Sequence, residues 1–395
     1  MLDYRFILLL MLAIAIGWFL GRWSKQKQRY RPASQETGLN RDYFQGLNFL
    51  LSDQPNEAIE SFIRTLEINS DTLPAHLALA RLFRKKGDVE RAIKMHQNLL
   101  ARPDLSREDQ LRVQMALALD YDSIGLLDRS EHLLVDVLKE PLPDATRIRA
   151  LTKLIKLYEK EQEWDSALQA TQRLGKDQNA LIKKSAAHYA CELAEQSYQQ
   201  HNTKQAMAHL KTALSYDANC VRASLMMAEI FSSQQQWKMA ISRLRQIETQ
   251  DRYFVSEALP YLKSCYQSLN KLSDYEQYLR DCLSHTPSAS IILALTELVF
   301  MQQGAIAAGL FLTQELKHRP SIKGFNRLID LHLEYGSASA KESLQTLKSL
   351  ISALEESKPQ YQCYQCGYAA KQLTWHCPSC KNWSSIRPIQ GLEGE

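Results

Sequence analysis

Four cysteines near the end of the chain, Cys363, Cys366, Cys377 and Cys380, fall in the pattern C-x2-C-x10-C-x2-C. Each C-x-x-C turn lets two thiolates converge on one ion while nearby backbone amides stabilise their charge. Two such turns supply a tetrahedron of sulfur, which suits zinc or a single iron. Gly367, directly after the first pair, permits the tight turn that aims amides at sulfur, and Pro378 stiffens the second pair. Two readings compete with a metal site. A pair of disulfides needs an oxidising compartment, and a redox-active C-x-x-C does not require two pairs. The stretch is too short to build a hydrophobic core, so a bound ion would largely be the core. Structural sites of this kind contribute on the order of 10–16 kcal/mol of folding free energy. Tyr361, Tyr364, Tyr368, Trp375 and Trp383 are expected to supply the rest of the packing, around the metal or against the helices before it.

The compartment is read from the other end of the chain. Residues 6–21, FILLLMLAIAIGWFLG, carry no charge and no strong polar group. Sixteen residues of helix reach about 24 Å, short of a hydrocarbon core of roughly 30 Å. Counting from Tyr4 to Trp23 closes the gap, because aromatic rings belong at the interface and Arg5 and Arg22 can snorkel. A cleaved signal peptide wants a basic start and small residues at the cleavage site; here the start is MLDYR and bulky GWFLGRW stands in that place. A core helix would not be followed at once by Arg22, Lys25, Lys27, Arg29 and Arg31. The segment is therefore expected to be an uncleaved transmembrane anchor. Those cations after the span leave the N-terminus outside and the bulk of the chain in the cytoplasm. That compartment is reducing, so the paired cysteines read as metal ligands.

The elements that must position this cluster are helical. The chain has 395 residues, 45% hydrophobic and 23% charged, with only 14 Gly and 12 Pro, which excludes wholesale disorder. A formal net charge of +4, without a basic stripe, argues against a nucleic-acid partner. From Tyr43 onward a helix–turn–helix pattern recurs. Ala58, Ala92, Ser130, Ala167, Ala206 and Ala240 open successive second helices, and Tyr275 and Ala308 hold the position more loosely. The intervals are 34, 38, 37, 39, 34, 35 and 33 residues. Phe49, Phe83, Tyr121, Tyr158, Phe231 and Tyr266 recur in the first helices. This pattern resembles the tetratricopeptide repeat, whose period is 34 residues. Such arrays curve into a superhelix whose concave side offers an extended surface to a protein or peptide. The expected fold class is all-α: an N-terminal transmembrane helix, a tetratricopeptide-repeat superhelix and a small metal-binding module. The segments expected are 1–21 as anchor and 22–40 as basic, polar tether. Residues 41–335 form an array of about eight repeats, 336–357 a capping and linking helix, and 358–395 the cysteine module. That helix shows one apolar face through Leu344, Leu347, Ile351 and Leu354.

Other chemistry-bearing residues take plain readings. Cys191, Cys220, Cys265 and Cys282 lie in helical segments without C-x-x-C partners and are expected as buried small hydrophobes. His76, His96, His132, His188 and His209 show no H-E-x-x-H spacing, and His96 sits where the repeat wants an aromatic. Neither a phosphate-binding G-x-x-x-x-G-K-[ST] loop nor a G-x-S-x-G elbow is present. No nucleophile has a base beside it, so an enzyme is not expected.

CYQCGY followed by CPSC resembles rubredoxin, in which four cysteines hold one iron. The sequence departs from that pattern at Lys381, where rubredoxins usually carry Gly, and in its short spacing between the knuckles. These departures favour a docked, structural variant over solo electron transfer. With LFRKKGDVERAIKMHQNLLARPDLSRED, GLLDRSEHLL and WHCPSCKNWSSIRPIQGLEGE, the chain resembles the lipopolysaccharide assembly protein B family of Gram-negative bacteria. The resemblance implies an inner-membrane adaptor that helps the membrane protease FtsH degrade the deacetylase LpxC and so limits lipopolysaccharide synthesis. Other lipopolysaccharide assembly proteins are further partners it allows. It carries the family's metal ligands over to Cys363, Cys366, Cys377 and Cys380, with iron favoured and zinc the alternative. A rubredoxin-type electron carrier docked to a membrane oxidoreductase and a zinc-ribbon nucleic-acid module are the other readings.

Overall fold

The structure, a computed structural model, describes residues 34–68, 72–177, 179–285, 287–335 and 338–395. The expected anchor at residues 1–21 lies outside them, as does most of the expected tether. Among the described residues no helix is long and apolar enough to cross a membrane. The chain divides into two compact units, one ending at Ala150 and one running from Leu151 to Glu395.

The first unit is built from antiparallel helix pairs. Ser34–Leu51 pairs with Pro55–Ile68, Leu73–Lys85 with Val89–Leu100, and Arg107–Ser123 with Leu127–Val137. Helix starts follow from local chemistry. Ser106 caps its helix by accepting from the Asp109 amide at 3.2 Å, which satisfies one of the amides a helix start leaves without a partner. Ala58, Phe62, Ala75, Leu79 and Leu82 form one core cluster, and Leu111, Val137 and Ala150 another. The interior also holds a polar group. Asp120, fully buried, accepts from His96 Nδ1 at 2.5 Å and from Arg84 at 2.5 Å. His96 therefore packs in the core as expected, but through a charged partner that the repeat pattern does not reveal.

The second unit is built from helix pairs of the same kind. Its pairs are Ala180–Gln199 with Thr203–Tyr216, Val221–Ser233 with Trp237–Gln250, Val255–Ser268 with Leu272–His285, and Ala289–Gln303 with Ala305–His318. Trp164–Leu174 precedes them, packed against Ala180–Gln199, and Ile322–Tyr335 and Ala338–Ser357 follow. The eight positions that mark the repeat in the sequence each fall on the fourth residue of a second helix. All eight are buried, Tyr275 and Ala308 as fully as Ala58. A small residue there lets the partner helix approach closely; Tyr275 stacks at a tilt on Tyr266 instead, ring centroids 5.6 Å apart. The fold class is that of a tetratricopeptide array. Cys191, Cys220, Cys265 and Cys282 are all buried within its helices. On the last helix Leu347, Leu350 and Leu354 stay exposed.

After Ser357 the chain changes character. Three short strands, β1 (Tyr361–Cys363), β2 (Ala369–Ala370) and β3 (Ile386–Pro388), form an antiparallel sheet in the order β2-β1-β3. Tyr361 faces Ala370 on one side and Pro388 on the other.

Candidate metal centre

The two cysteine turns are built alike. In the first, leaving β1, the Gly367 amide donates to the Cys363 carbonyl at 2.9 Å. In the second, the Lys381 amide donates to the Cys377 carbonyl at 2.9 Å. The residue after each second cysteine is left-handed, Gly367 at φ 77° and Lys381 at φ 57°. Lys381 thus keeps the turn that rubredoxins make with glycine. The Tyr364 amide bonds the Ser385 carbonyl at 2.9 Å, and the Cys377 amide bonds the Asn382 carbonyl at 3.0 Å, which ties both turns to the strand-side loops.

The structure brings all four predicted sulfurs together, each within 4.8 Å of the others. Cys363 and Cys380 lie 3.7 Å apart, and so do Cys366 and Cys377. Sulfurs about 2.3 Å from one tetrahedral ion stand about 3.8 Å from each other, so the set has the size of a metal cage. None of the four forms a disulfide. Burial raises the Cys363 thiol, but the Ser385 hydroxyl and the amides of Cys366 and Gln365 outweigh it and bring the thiol down to about 6. Burial holds Cys377 up at about 11, while the Asn382 side chain lowers Cys380. The sulfurs thus differ in how readily they ionise, and a cation at the centre would supply the charge that keeps all four as thiolates. The core around them is minimal: Cys363, Cys377 and Ile386, with Tyr361 and Leu373 partly buried alongside.

The rest of the module's packing comes from helices far upstream in the same unit. Trp383 is buried, and its indole stacks on His188 at 4.9 Å and on His376 at 4.4 Å. Trp164 and Tyr189 meet the same ring edge-on at 6.0 Å. Glu159 accepts from Trp383 Nε1 at 3.2 Å and from the Tyr189 hydroxyl, with His376 Nε2 at 3.4 Å. Burial raises the Glu159 carboxyl, but the bonds from His376, Tyr189 and Trp383 prevail and hold it below its ordinary value. His188 bonds Ser384 through Nε2 at 2.5 Å. Its burial, reinforced by Arg222 and Lys184, pushes its pKa well down, so it stays neutral. Trp375 stacks on Phe254 at 5.4 Å, and the Tyr361 hydroxyl donates to Glu257 at 2.9 Å. Arg387 pairs with Asp251 at 2.9 Å and lies over the rings of Tyr253 and Tyr364. Beyond β3, Glu395 accepts from Ser290 and from Lys323 at 2.7 Å.

Of the five aromatics expected to finish the module, Trp375, Trp383 and Tyr361 reach the helices, whereas Tyr364 and Tyr368 are exposed. Sequence reasoning missed Glu159, His188, Glu257 and Asp251. They stand 104 to 224 residues from the module groups they bond in the cases of Glu257 and Glu159. The one available signal was a histidine and a glutamate on helices that need neither.

Comparison with known proteins agrees with this architecture. A family model described as a rubredoxin metal binding domain matches residues 361–388, and one described as a tetratricopeptide repeat matches residues 75–111. The chain is 38% identical to lipopolysaccharide assembly protein B of Escherichia coli K12, covering 100% of both chains. It is 33% identical to the protein of the same name from Haemophilus influenzae, covering 98% of each.

Proposed function

The chain belongs to the lipopolysaccharide assembly protein B family, and from that membership we propose an adaptor role in lipopolysaccharide assembly. The residue 6–21 segment holds the protein in the inner membrane with its bulk in the cytoplasm. There the repeats bring the deacetylase LpxC to the membrane protease FtsH, and faster LpxC turnover limits lipopolysaccharide synthesis. Cys363, Cys366, Cys377 and Cys380 hold one metal ion, taken as iron on the likeness of the knuckles to rubredoxin. When bound, the ion cross-links the two turns; it is not given a reaction to perform.

One observation carries the scaffold reading: the module is fastened to the repeat helices through Trp383, Glu159 and His188. A bound ion then sets the shape of a surface that includes those helices. A second reading has an observation of its own. The Cys366 sulfur belongs to an exposed residue, as an edge for electron transfer requires. A redox titration separates the two: an ion with no accessible potential leaves only the scaffold.

Crosslinking in intact inner membranes, followed by capture of the full chain, is expected to recover FtsH and LpxC together. Capture of an oxidoreductase with neither of them contradicts the adaptor reading. Purified protein is expected to carry about one equivalent of iron; a full equivalent of zinc in protein made under iron-replete conditions contradicts the assignment of iron.

A further inference from the structure

The helix pair Leu73–Lys85 and Val89–Leu100 carries a cavity of about 400 Å³. Phe83, Met95 and Leu99 give it an apolar lining, buried or half-buried, and Arg91, Lys94 and Arg102 stand around them. Among the described residues no acidic one lines it. Arg91 is drawn over the Phe83 ring at 5.5 Å and pairs with Asp88 at 2.9 Å. An exposed pair three residues apart on one helix is weak, so an incoming carboxylate can replace it. Lys94 projects into solvent from the middle of the same helix.

We propose that this cavity takes an acidic segment of a client protein. A large apolar side chain enters between Phe83, Met95 and Leu99, and flanking carboxylates meet Lys94 and Arg91. Charge decides the sign of the partner, because every ionisable group on the lining among the described residues is basic. Shape decides its class. An anionic lipid surface is flat and would engage the cations while leaving the apolar lining empty, whereas a peptide side chain fills both. The inference rests on the adaptor reading and gives the chemistry of what the adaptor holds.

The test uses the full chain in non-ionic detergent and a fluorescein-labelled peptide in which a Phe-Leu pair is flanked by glutamates. Anisotropy is expected to show saturable binding that weakens as salt screens the charges. Replacing the glutamates by lysines, or the Phe-Leu pair by alanines, is expected to weaken it about tenfold or more. Arg91→Glu with Lys94→Glu is expected to do the same with unfolding unchanged, since both side chains are exposed, and Lys94→Gln should fall between. Equal binding of the lysine peptide, or undiminished binding by the double variant, overturns the proposal. So does binding of phosphatidylglycerol vesicles through these residues when the peptide does not bind. Cells separate this inference from the one beneath it. If the double variant restores LpxC turnover to a deletion strain, the cavity is not the client site and the adaptor reading stands. If the deletion strain degrades LpxC at the normal rate, the adaptor reading falls, and the peptide result alone decides the cavity.

Discussion

Lys381 shows how a single residue can depart from a family pattern and leave its geometry intact. Its φ of 57° reproduces the left-handed turn that Gly367 makes at 77°. A side chain in that region costs roughly 1–2 kcal/mol relative to glycine's freedom there. Lys381→Gly is therefore expected to raise the thermal stability of the metal-loaded protein slightly, and Gly367→Ala to lower it; the opposite order contradicts the equivalence of the turns. Cys377→Ser is expected to release the metal and unfold the tail, because Cys377 is both a proposed ligand and one of three buried residues in the module's core; metal analysis and protease sensitivity read both. His188 sets a pH dependence. Its folded pKa is depressed, so the unfolded chain takes up a proton that the folded one refuses. Stability is then retained at pH values above the ordinary histidine range and lost as pH falls below about 6.5, by up to about 1.4 kcal/mol per unit. His188→Phe should flatten that slope; an unchanged slope shows that other groups cause it. At this scale the four cysteines were legible because sulfur at C-x-x-C spacing has few other uses. Glu159 and His188 were not, because a residue that docks a distant segment leaves no period in the sequence.

At the scale of the helix pair, the marker five residues ahead of the buried position is a backbone conformation, not a residue type. Asp53, Gly87, Gly125, Gln162, His201, Gln235 and Asn270 all take positive φ there. Two of the seven are glycine. The turn between helices needs a left-handed residue to end the first helix and release its last carbonyls, and the amide that follows closes back onto that helix, as Glu163 does on Tyr158 at 2.9 Å. Gln162→Gly and Gln235→Gly are expected to stabilise the protein by about 0.5–1 kcal/mol each, measured by denaturant unfolding; a loss at both sites would mean that the glutamine side chains hold the turns. The repeat itself was readable because its small residues pack against a neighbour and cannot vary freely. Tyr275 looked a poor match, yet it occupies the same buried position by stacking on Tyr266. The turns were mostly invisible, since glutamine, histidine and aspartate adopt the left-handed form at a cost that tertiary packing offsets.

For the whole molecule, the fold class followed from the repeat, while the fastening of the tail to helices far upstream did not, because pairwise docking has no local signature. Glu159 is the test of that fastening. Glu159→Gln keeps an acceptor but removes the charge shared by Trp383, Tyr189 and His376. Loss of a charged, mostly buried acceptor costs on the order of 1–3 kcal/mol, which should loosen the module and raise the hydrogen exchange of residues 361–388 without releasing the metal; unchanged exchange contradicts the docking role. Function adds one physical element to this structure. Confinement to the membrane plane raises the effective concentration of an adaptor near a membrane protease without any new contact. Deleting residues 1–21 should accordingly leave a folded, metal-loaded protein that no longer controls its target, and loss of the cysteine ligands should impair control with the anchor intact. The central claim is that this chain sets the lifetime of LpxC, and the most direct measurement is the LpxC half-life after translation is stopped in cells lacking the whole protein. The account predicts a half-life several-fold longer than in the parent strain, restored by the full chain and not by the chain without residues 1–21. An unchanged half-life in the clean deletion contradicts it.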